Sequence, residues 1–500
     1  MQHGPGPLCY SGTRLGLNAL DYAVVAVYLV AVTGFGSYFA RFQKTTGDYF
    51  LTGRSVPWWA ICFTIVATET STLTFIGVPA AAYAGNMTFL QLAVGYVIGR
   101  LLVSVLFIPA YFRGDLVTSY ELLQRRFGSI VKTVAAGLFL ITRSLADGIR
   151  LFATALVIAI VTGVPVSITI VTLGVAMMIY TERGGVAAVI WTDVVQMFIY
   201  VAGALVVFAA LLWNMPGGWA EVVRLGVPAG KFTVIDLSFD ATRVYTIWAG
   251  VVGGVALTLA THGTDQFLVQ RLLSARSQRE AQRGLVLSGL IVFAQFTLFL
   301  LIGVMLFAYY QHVPLGAPLG RNDEILPRFI ISTLPHGAIG FIVAAIVAAA
   351  LSPSLNAMAA TTVNDFYLKY VRPDADQATL MRLSRRATYA WGFVQLSVAL
   401  GAQWMRQSVL DAGLSVLSLT SGPVLGAFMV GVLTRHVGSR AILAGMAAGA
   451  AMMFTIWSTG ALAWTWYAFA GSVTTGLVSL GLAMFPAFRV PLADRASAAD

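Results

Sequence analysis

Long apolar runs with few charges, set one after another, most constrain what this chain can fold into. They fall at roughly 19–40, 57–82, 87–112, 131–162, 165–181, 185–213, 242–269, 284–310, 337–366, 386–405, 410–434, 439–458 and 463–486. A helix that crosses about 30 Å of hydrocarbon needs about 20 such residues. Lipid offers no partner to a backbone amide, so only helices or a closed barrel can span it. These runs are continuous rather than alternating, which selects helices over a barrel. Composition agrees: 10% of the 500 residues are charged, against about 25% in a soluble domain. A lipid bilayer is therefore the first partner, and the chain reads as one all-α integral membrane domain over 1–500. The first run is a leader helix, the next ten are core helices 1 to 10, and the last two are extra helices, about 13 transmembrane helices in all.

The formal net charge of +10 does not point to nucleic acid, because its distribution follows the loops. Arg41, Lys44 and Arg54 follow the leader; Arg113, Arg125 and Arg126 follow core helix 2; Arg183 follows core helix 4. Arg271, Arg276, Arg279 and Arg283 follow core helix 6, Lys369 to Arg386 follow core helix 8, and Arg435 and Arg440 follow core helix 10. Basic and non-basic loops alternate, and Lys and Arg collect on the cytoplasmic side. The expected topology has the N-terminus outside and the C-terminus in the cytoplasm, as a multi-pass protein of the cell membrane. Cys9 and Cys62 form no metal or disulfide pattern, and no signal peptide is expected.

Ionisable groups at membrane depth cost at least about 2.5 kcal/mol on insertion scales, so those present are informative. Core helix 1 reads Ala67-Thr68-Glu69-Thr70-Ser71-Thr72-Leu73-Thr74 and then reaches Gly77 and Pro79. Hydroxyls bond backbone carbonyls and loosen a helix. A helix broken near the midplane offers carbonyls to cations and amides to anions; a kinked helix with internally bonded hydroxyls is the plainer alternative. Core helix 3 carries Arg143, Asp147 and Arg150 on one face, as an internal Arg143–Asp147 pair or as solute contacts. Asp193 in core helix 5 is a cation ligand or an interface carboxylate. Core helix 6 carries Thr258, Thr261, His262, Gly263, Thr264, Asp265 and Gln266. Core helices 1 and 6 lie five spans apart, so the two halves insert in opposite orientation. No HExxH, GxSxG or phosphate loop is present, which argues against an enzyme.

Several motifs together resemble the sodium:solute symporter family. They are Gly47-Asp48-Tyr49-Phe50-Leu51-Thr52-Gly53-Arg54 with Pro57-Trp58-Trp59, and Thr118-Ser119-Tyr120-Glu121-Leu122-Leu123-Gln124-Arg125-Arg126-Phe127-Gly128. They continue in Gly184-Gly185-Val186-Ala187-Ala188-Val189-Ile190-Trp191-Thr192-Asp193 with Gln196, in Gly263-Thr264-Asp265-Gln266 with Gln270-Arg271, and in Asn356 with Asn364-Asp365-Phe366-Tyr367. The resemblance implies a leucine-transporter-type fold: a leader at 19–40, a first inverted repeat of five helices over 57–213, a second over 242–434, and extra helices over 439–486.

It also implies sites. Solute contacts fall at Thr74, Gln91, Arg143, Thr258, Thr261 and His262, with Glu69 and Asp147 as further intramembrane charges. The central sodium site falls on carbonyls of Ala67, Thr70 and Ile346 and on two hydroxyl positions of core helix 8. Those two positions are Ala349 and Ala350 here, and neither has an oxygen to offer. Ser352 one turn on, and Asp193 at a second site, are the remaining oxygen donors. The implied function is symport of a small polar solute (a sugar, an amino acid or an organic anion) with a cation, by alternating access and without a cofactor. Sodium is the family's ion. A sodium-independent or proton-coupled carrier is the alternative, followed by a non-transporting sensor and a channel.

Overall fold

Polar and glycine positions inside the apolar runs decide where this chain bends. The computed structural model describes residues 17–40, 54–113, 116, 118–183, 186–350 and 354–490. Among the described residues the secondary structure is helical, apart from two isolated bridges, Val56–Ala275 and Val437–Arg489. The main helices are α1 (Ala19–Ala40), α2 (Trp58–Glu69), α3 (Thr72–Ala84), α4 (Leu90–Leu106), α5 (Ser129–Thr162), α6 (Val166–Arg183), α7 (Val186–Asn214) and α8 (Ile247–Gly263). They continue as α9 (Gln266–Leu273), α10 (Gln278–His312), α11 (Ala338–Ala350), α12 (Ser354–Thr361), α13 (Gln377–Ala402), α14 (Val409–Leu433), α15 (Ser439–Thr459) and α16 (Tyr467–Leu482).

Among the described residues six helices are long and apolar enough to cross a membrane, and up to eight spans result if each of two bent pairs counts as one. The bent pairs are α2 with α3, at 61°, and α8 with α9, at 62°. Shorter apolar helices lie at Ala19–Val32, Val166–Ile179 and Ala338–Val347. The helices depart from the apolar pattern in places, as at α10, which begins at Gln278 rather than near 284. Helix α13 begins at Gln377 rather than near 386, because Leu380, Met381 and Leu383 extend its helical face into the basic loop. The long loops near 214–241 and 311–336 hold short helices of their own, Gly218–Gly226 and Ile325–Thr333. Core helix 8 ends in a π-helical turn, Thr362–Tyr367.

Val105, Ile141, Phe198, Leu205, Phe454 and Leu477 point outward, each more than half exposed. An apolar surface of this kind needs lipid around it. Inside, helices approach closely through small residues. A Cβ on Gly95 of α4 would come within 2.7 Å of the Gly250 carbonyl of α8, and one on Gly254 within 2.6 Å of the Leu92 carbonyl. Such contact is a common way to pack helices where lipid removes the hydrophobic drive. Buried apolar residues form two clusters, one with Ile65 and Leu259, the other with Val66 and Leu257. The seam between the clusters passes near both bends.

Candidate functional site

At the first bend the hydroxyls of core helix 1 take over backbone bonding. Thr68 Oγ1 donates to the Thr64 carbonyl and Thr70 Oγ1 to the Val66 carbonyl, each at 2.7 Å. The helix stops at Glu69, whose carbonyl accepts from the Ser71 amide and the Thr74 hydroxyl, both at 2.8 Å. Thr70 also meets the Gln295 side chain of α10 at 2.8 Å. Thr72 then opens α3, with its hydroxyl 2.8 Å from that of Thr154 and 3.3 Å from the Ile346 carbonyl.

At the second bend a carboxylate does this work. Asp265 caps α9, accepting from the Phe267 amide at 2.9 Å. The freed carbonyls of Gly263 and Thr264 accept from the hydroxyls of Tyr111 and Ser119. A Cβ on Gly263 would come within 2.7 Å of the Phe107 ring, so the break needs glycine there.

A cavity of about 100 Å³ lies between the two bends. Thr68, Ser71, Thr74, Thr258 and Thr261 line it with hydroxyls, and Phe89, Tyr96 and Phe296 form an aromatic side. Leu410, Leu414 and Leu417 of α14 line it as well. An acidic and three basic side chains also line it: Glu69, and His262, Arg143 and Arg150.

The charges are paired across helices. Arg100 of α4, fully buried, bonds the Glu69 carboxylate, and His262 Nε2 lies 3.3 Å from the other Glu69 oxygen. Arg143 donates to Asp265 through Nε at 3.1 Å and Nη2 at 2.5 Å, while Asp147 lies 3.9 Å away. The helical spacing suggests Asp147 as the partner of Arg143; the chain reversal at the second bend brings Asp265 closer. Arg271 holds Asp193 at 3.0 Å, and Thr64 donates to the same oxygen at 2.7 Å. The guanidinium groups of Arg143 and Arg271 lie 4.7 and 4.3 Å from the Phe267 ring centre. Arg150 is the least committed: its nearest carboxylate is Asp147 at 3.7 Å, and its Nε has no hydrogen-bond partner among the described residues.

Of the six expected solute contacts, Thr74, Arg143, Thr258, Thr261 and His262 line the cavity, together with Glu69. Gln91 is not among the lining residues. Its amide donates to the carbonyls of Thr88 and Tyr245, and its oxygen accepts from the Asp236 amide. It ties α4 to the long loop ahead of α8. Asp147 is buried beside the cavity between two arginines. Of the expected sodium ligands, Ala67 and Thr70 are buried at the first bend, and Ile346 already receives the Thr72 hydroxyl. The side chains of Ala349 and Ala350, and all of Ser352, lie outside the described residues. Arg100, Gln295 and Lys132, which pairs with Asp365 at 2.9 Å, were not singled out from the sequence. Each is polar within an apolar run, the same signal that singled out Glu69.

The sequence model of the sodium:solute symporter family matches residues 49–449. The sodium/iodide cotransporter of Homo sapiens is 30% identical over 88% of this chain and 70% of its own length. The sodium/sialic acid symporter NanT of Aliivibrio fischeri is 30% identical over 94% of both chains. A solved structure of a Na+-coupled sialic acid symporter, substrate-bound and outward-open, superposes with a TM-score of 0.87 at 28% identity, covering 95% of this chain and all of that one. A nucleobase-cation-symport-1 family transporter shares the fold at a TM-score of 0.58 and 13% identity, over 90% of this chain and 98% of its own.

Proposed function

The chain belongs to the sodium:solute symporter family, and on that premise we propose that it carries a small organic anion across the membrane by alternating access, driven by a cation gradient. The observation that supports an anion is Arg150, a cavity-lining residue whose buried Nε has no hydrogen-bond partner among the described residues and whose nearest carboxylate, Asp147, lies 3.7 Å away. A guanidinium binds carboxylates through charge-assisted bonds, and the hydroxyls around it suit the polar remainder of such a solute. Relatives named for sialic acid, iodide and monocarboxylates carry anions as well. The topology we propose keeps thirteen spans, two inverted repeats of five helices pivoting at the two bends, and the basic loops in the cytoplasm. Purified protein in liposomes tests the reading: sialic acid, iodide and propionate are offered beside neutral sugars and amino acids under an inward cation gradient. Saturable uptake of sialic acid or propionate supports it; uptake of a neutral sugar, or of iodide alone, overturns the organic-anion assignment.

A second reading keeps the carrier and makes it independent of sodium. Sodium is a hard cation and takes oxygen ligands. Here Ala349 and Ala350 supply none from their side chains, the Ile346 carbonyl is shared with Thr72, and Asp193 is held by the cationic Arg271.

A further inference from the structure

The two long loops on the non-basic side of the bundle, near 214–241 and 311–336, are similar in length and opposite in character. Along 311–336 the apolar side chains turn inward: Phe329 and Ile330 are buried, and Val313, Leu315 and Leu319 are half-buried. Along the first loop they turn outward. Ile235, Leu237 and Phe239 are 61, 70 and 85% exposed.

Residues 233–240 form no helix, and exposure alternates along them, as on the two sides of an extended chain. The inward positions are held by the protein. Val234 packs against the buried cluster that contains Val66 and Leu257. The Asp236 amide donates to Gln91 Oε1 at 3.1 Å, its carbonyl accepts from the Ile247 amide at 2.8 Å, and its carboxylate pairs with Arg243 at 2.9 Å. The Ser238 amide donates to the Asp236 carboxylate at 2.9 Å, and Ser238 Oγ accepts from Arg243 at 3.0 Å. A segment whose outer face meets water carries the reverse pattern, with polar residues outside and apolar ones inside.

We propose that this segment is a membrane anchor, whose Ile235, Leu237 and Phe239 side chains insert into the lipid leaflet that borders the non-basic loops. The depth of the segment supports lipid as the occupant. Phe239 lies against Trp248 in the first turn of α8, with ring centres 5.9 Å apart, and Trp248 Nε1 donates to the Leu237 carbonyl at 3.3 Å. The segment therefore sits level with the end of a span, and tryptophan favours the boundary between lipid and water. Trp213, where α7 runs into the same loop, is 91% exposed. The outward face continues the lipid-facing surface of the bundle.

The anchor is tied to helices around the cavity. Lys231 Nζ donates to the carbonyls of Tyr83 and Gly85 at the end of α3, at 2.6 and 2.8 Å. Gln91 belongs to α4, and Ile247 opens α8. Insertion holds the ends of these three helices at one depth in the bilayer. This inference is independent of which solute is carried.

Spin labelling of the full chain in phosphatidylcholine liposomes tests it. Cys62 is buried and stays, and Cys9→Ser removes the other thiol; this parent supplies the labelling blank. Ile235→Cys, Leu237→Cys and Phe239→Cys carry the nitroxide one at a time. Ala317→Cys, at an exposed position of the other loop, is the water reference. Oxygen concentrates in the bilayer, and a nickel chelate stays in water. We expect oxygen to relax the three labels more than nickel does, with the reverse at Ala317. Nickel access at the three positions equal to that at Ala317 overturns the anchor. Labels reached by neither agent mean that protein covers the face, and overturn the lipid assignment. Unmodified protein gives an independent reading: phosphatidylcholine with a diazirine in its acyl chain should leave adducts on residues 233–240. Adducts on the spans with none on 233–240 contradict the anchor.

Discussion

The two bends are nearly equal in angle, 61° and 62°, but they are built from different chemistry. At the first, hydroxyls close the backbone, and the carboxylate of Glu69 is free to meet Arg100 and His262 beside the cavity. At the second, the carboxylate of Asp265 is consumed by structure, capping α9 and fixing Arg143. One break leaves its carboxylate lining the cavity, and the other commits its carboxylate to a cap and an ion pair. An irregular backbone at membrane depth needs some internal partner; which partner it uses decides what remains for function.

The largest test of this difference is Asp265→Ala. It leaves Arg143 buried with Asp147 at 3.9 Å, and removing one member of a buried pair costs about 3–5 kcal/mol. Losing the cap adds about 1 kcal/mol. Denaturant unfolding in detergent reads the loss, and adding Arg143→Met should recover most of it, since apolar replacement of a whole buried pair is often near neutral. A single variant within about 1 kcal/mol of wild type would break the contrast between the bends.

Next comes Arg150→Ala, which removes a charge-assisted bond worth about 1.5–3 kcal/mol. Equilibrium binding of the transported anion should weaken by about tenfold or more. Arg143→Lys should weaken it as well, because lysine cannot reproduce the two bonds to Asp265; unchanged affinity in both variants would move the anion away from this wall.

Much of this arrangement was legible from residue type. Glu69, His262, Asp193 and Asp265 stood out as polar groups in apolar runs, and the hydroxyls of core helix 1 marked the first bend. Pairing was not legible. Arg143 has Asp147 four residues on, yet bonds Asp265, 122 residues away, because the second bend turns that carboxylate into the bundle. Asp193 carries no trace in its own run of Arg271, which comes from beyond that bend. The family resemblance implies Gln91 as a solute contact, but the loop ahead of α8 folds back and takes its amide. Arg100 follows a glycine in an otherwise apolar run, and its partners come from two other helices.

A smaller effect sharpens the role of the first bend. Ala349→Ser combined with Ala350→Ser supplies the two hydroxyls that the family resemblance expects in a central sodium site with the carbonyls of Ala67 and Thr70. Titrating anion binding with sodium at constant ionic strength should show a new or stronger sodium dependence, of about three- to tenfold. Strong dependence already in wild type, abolished by Thr70→Pro and untouched by Ser352→Ala, would mean that the bend binds sodium without those hydroxyls. The smallest effect is expected at Thr258→Ala, a few-fold loss of anion affinity, for one neutral hydrogen bond worth about 0.5–1.5 kcal/mol.

Counterflow tests alternating access about the two bends most directly, whichever ion is coupled. Liposomes loaded with an unlabelled transported anion are diluted into a trace of the same anion in labelled form. A carrier whose single cavity faces one side at a time predicts a transient overshoot of label above its equilibrium level. A monotonic rise to equilibrium, with flux that does not saturate, would contradict the account and describe a channel.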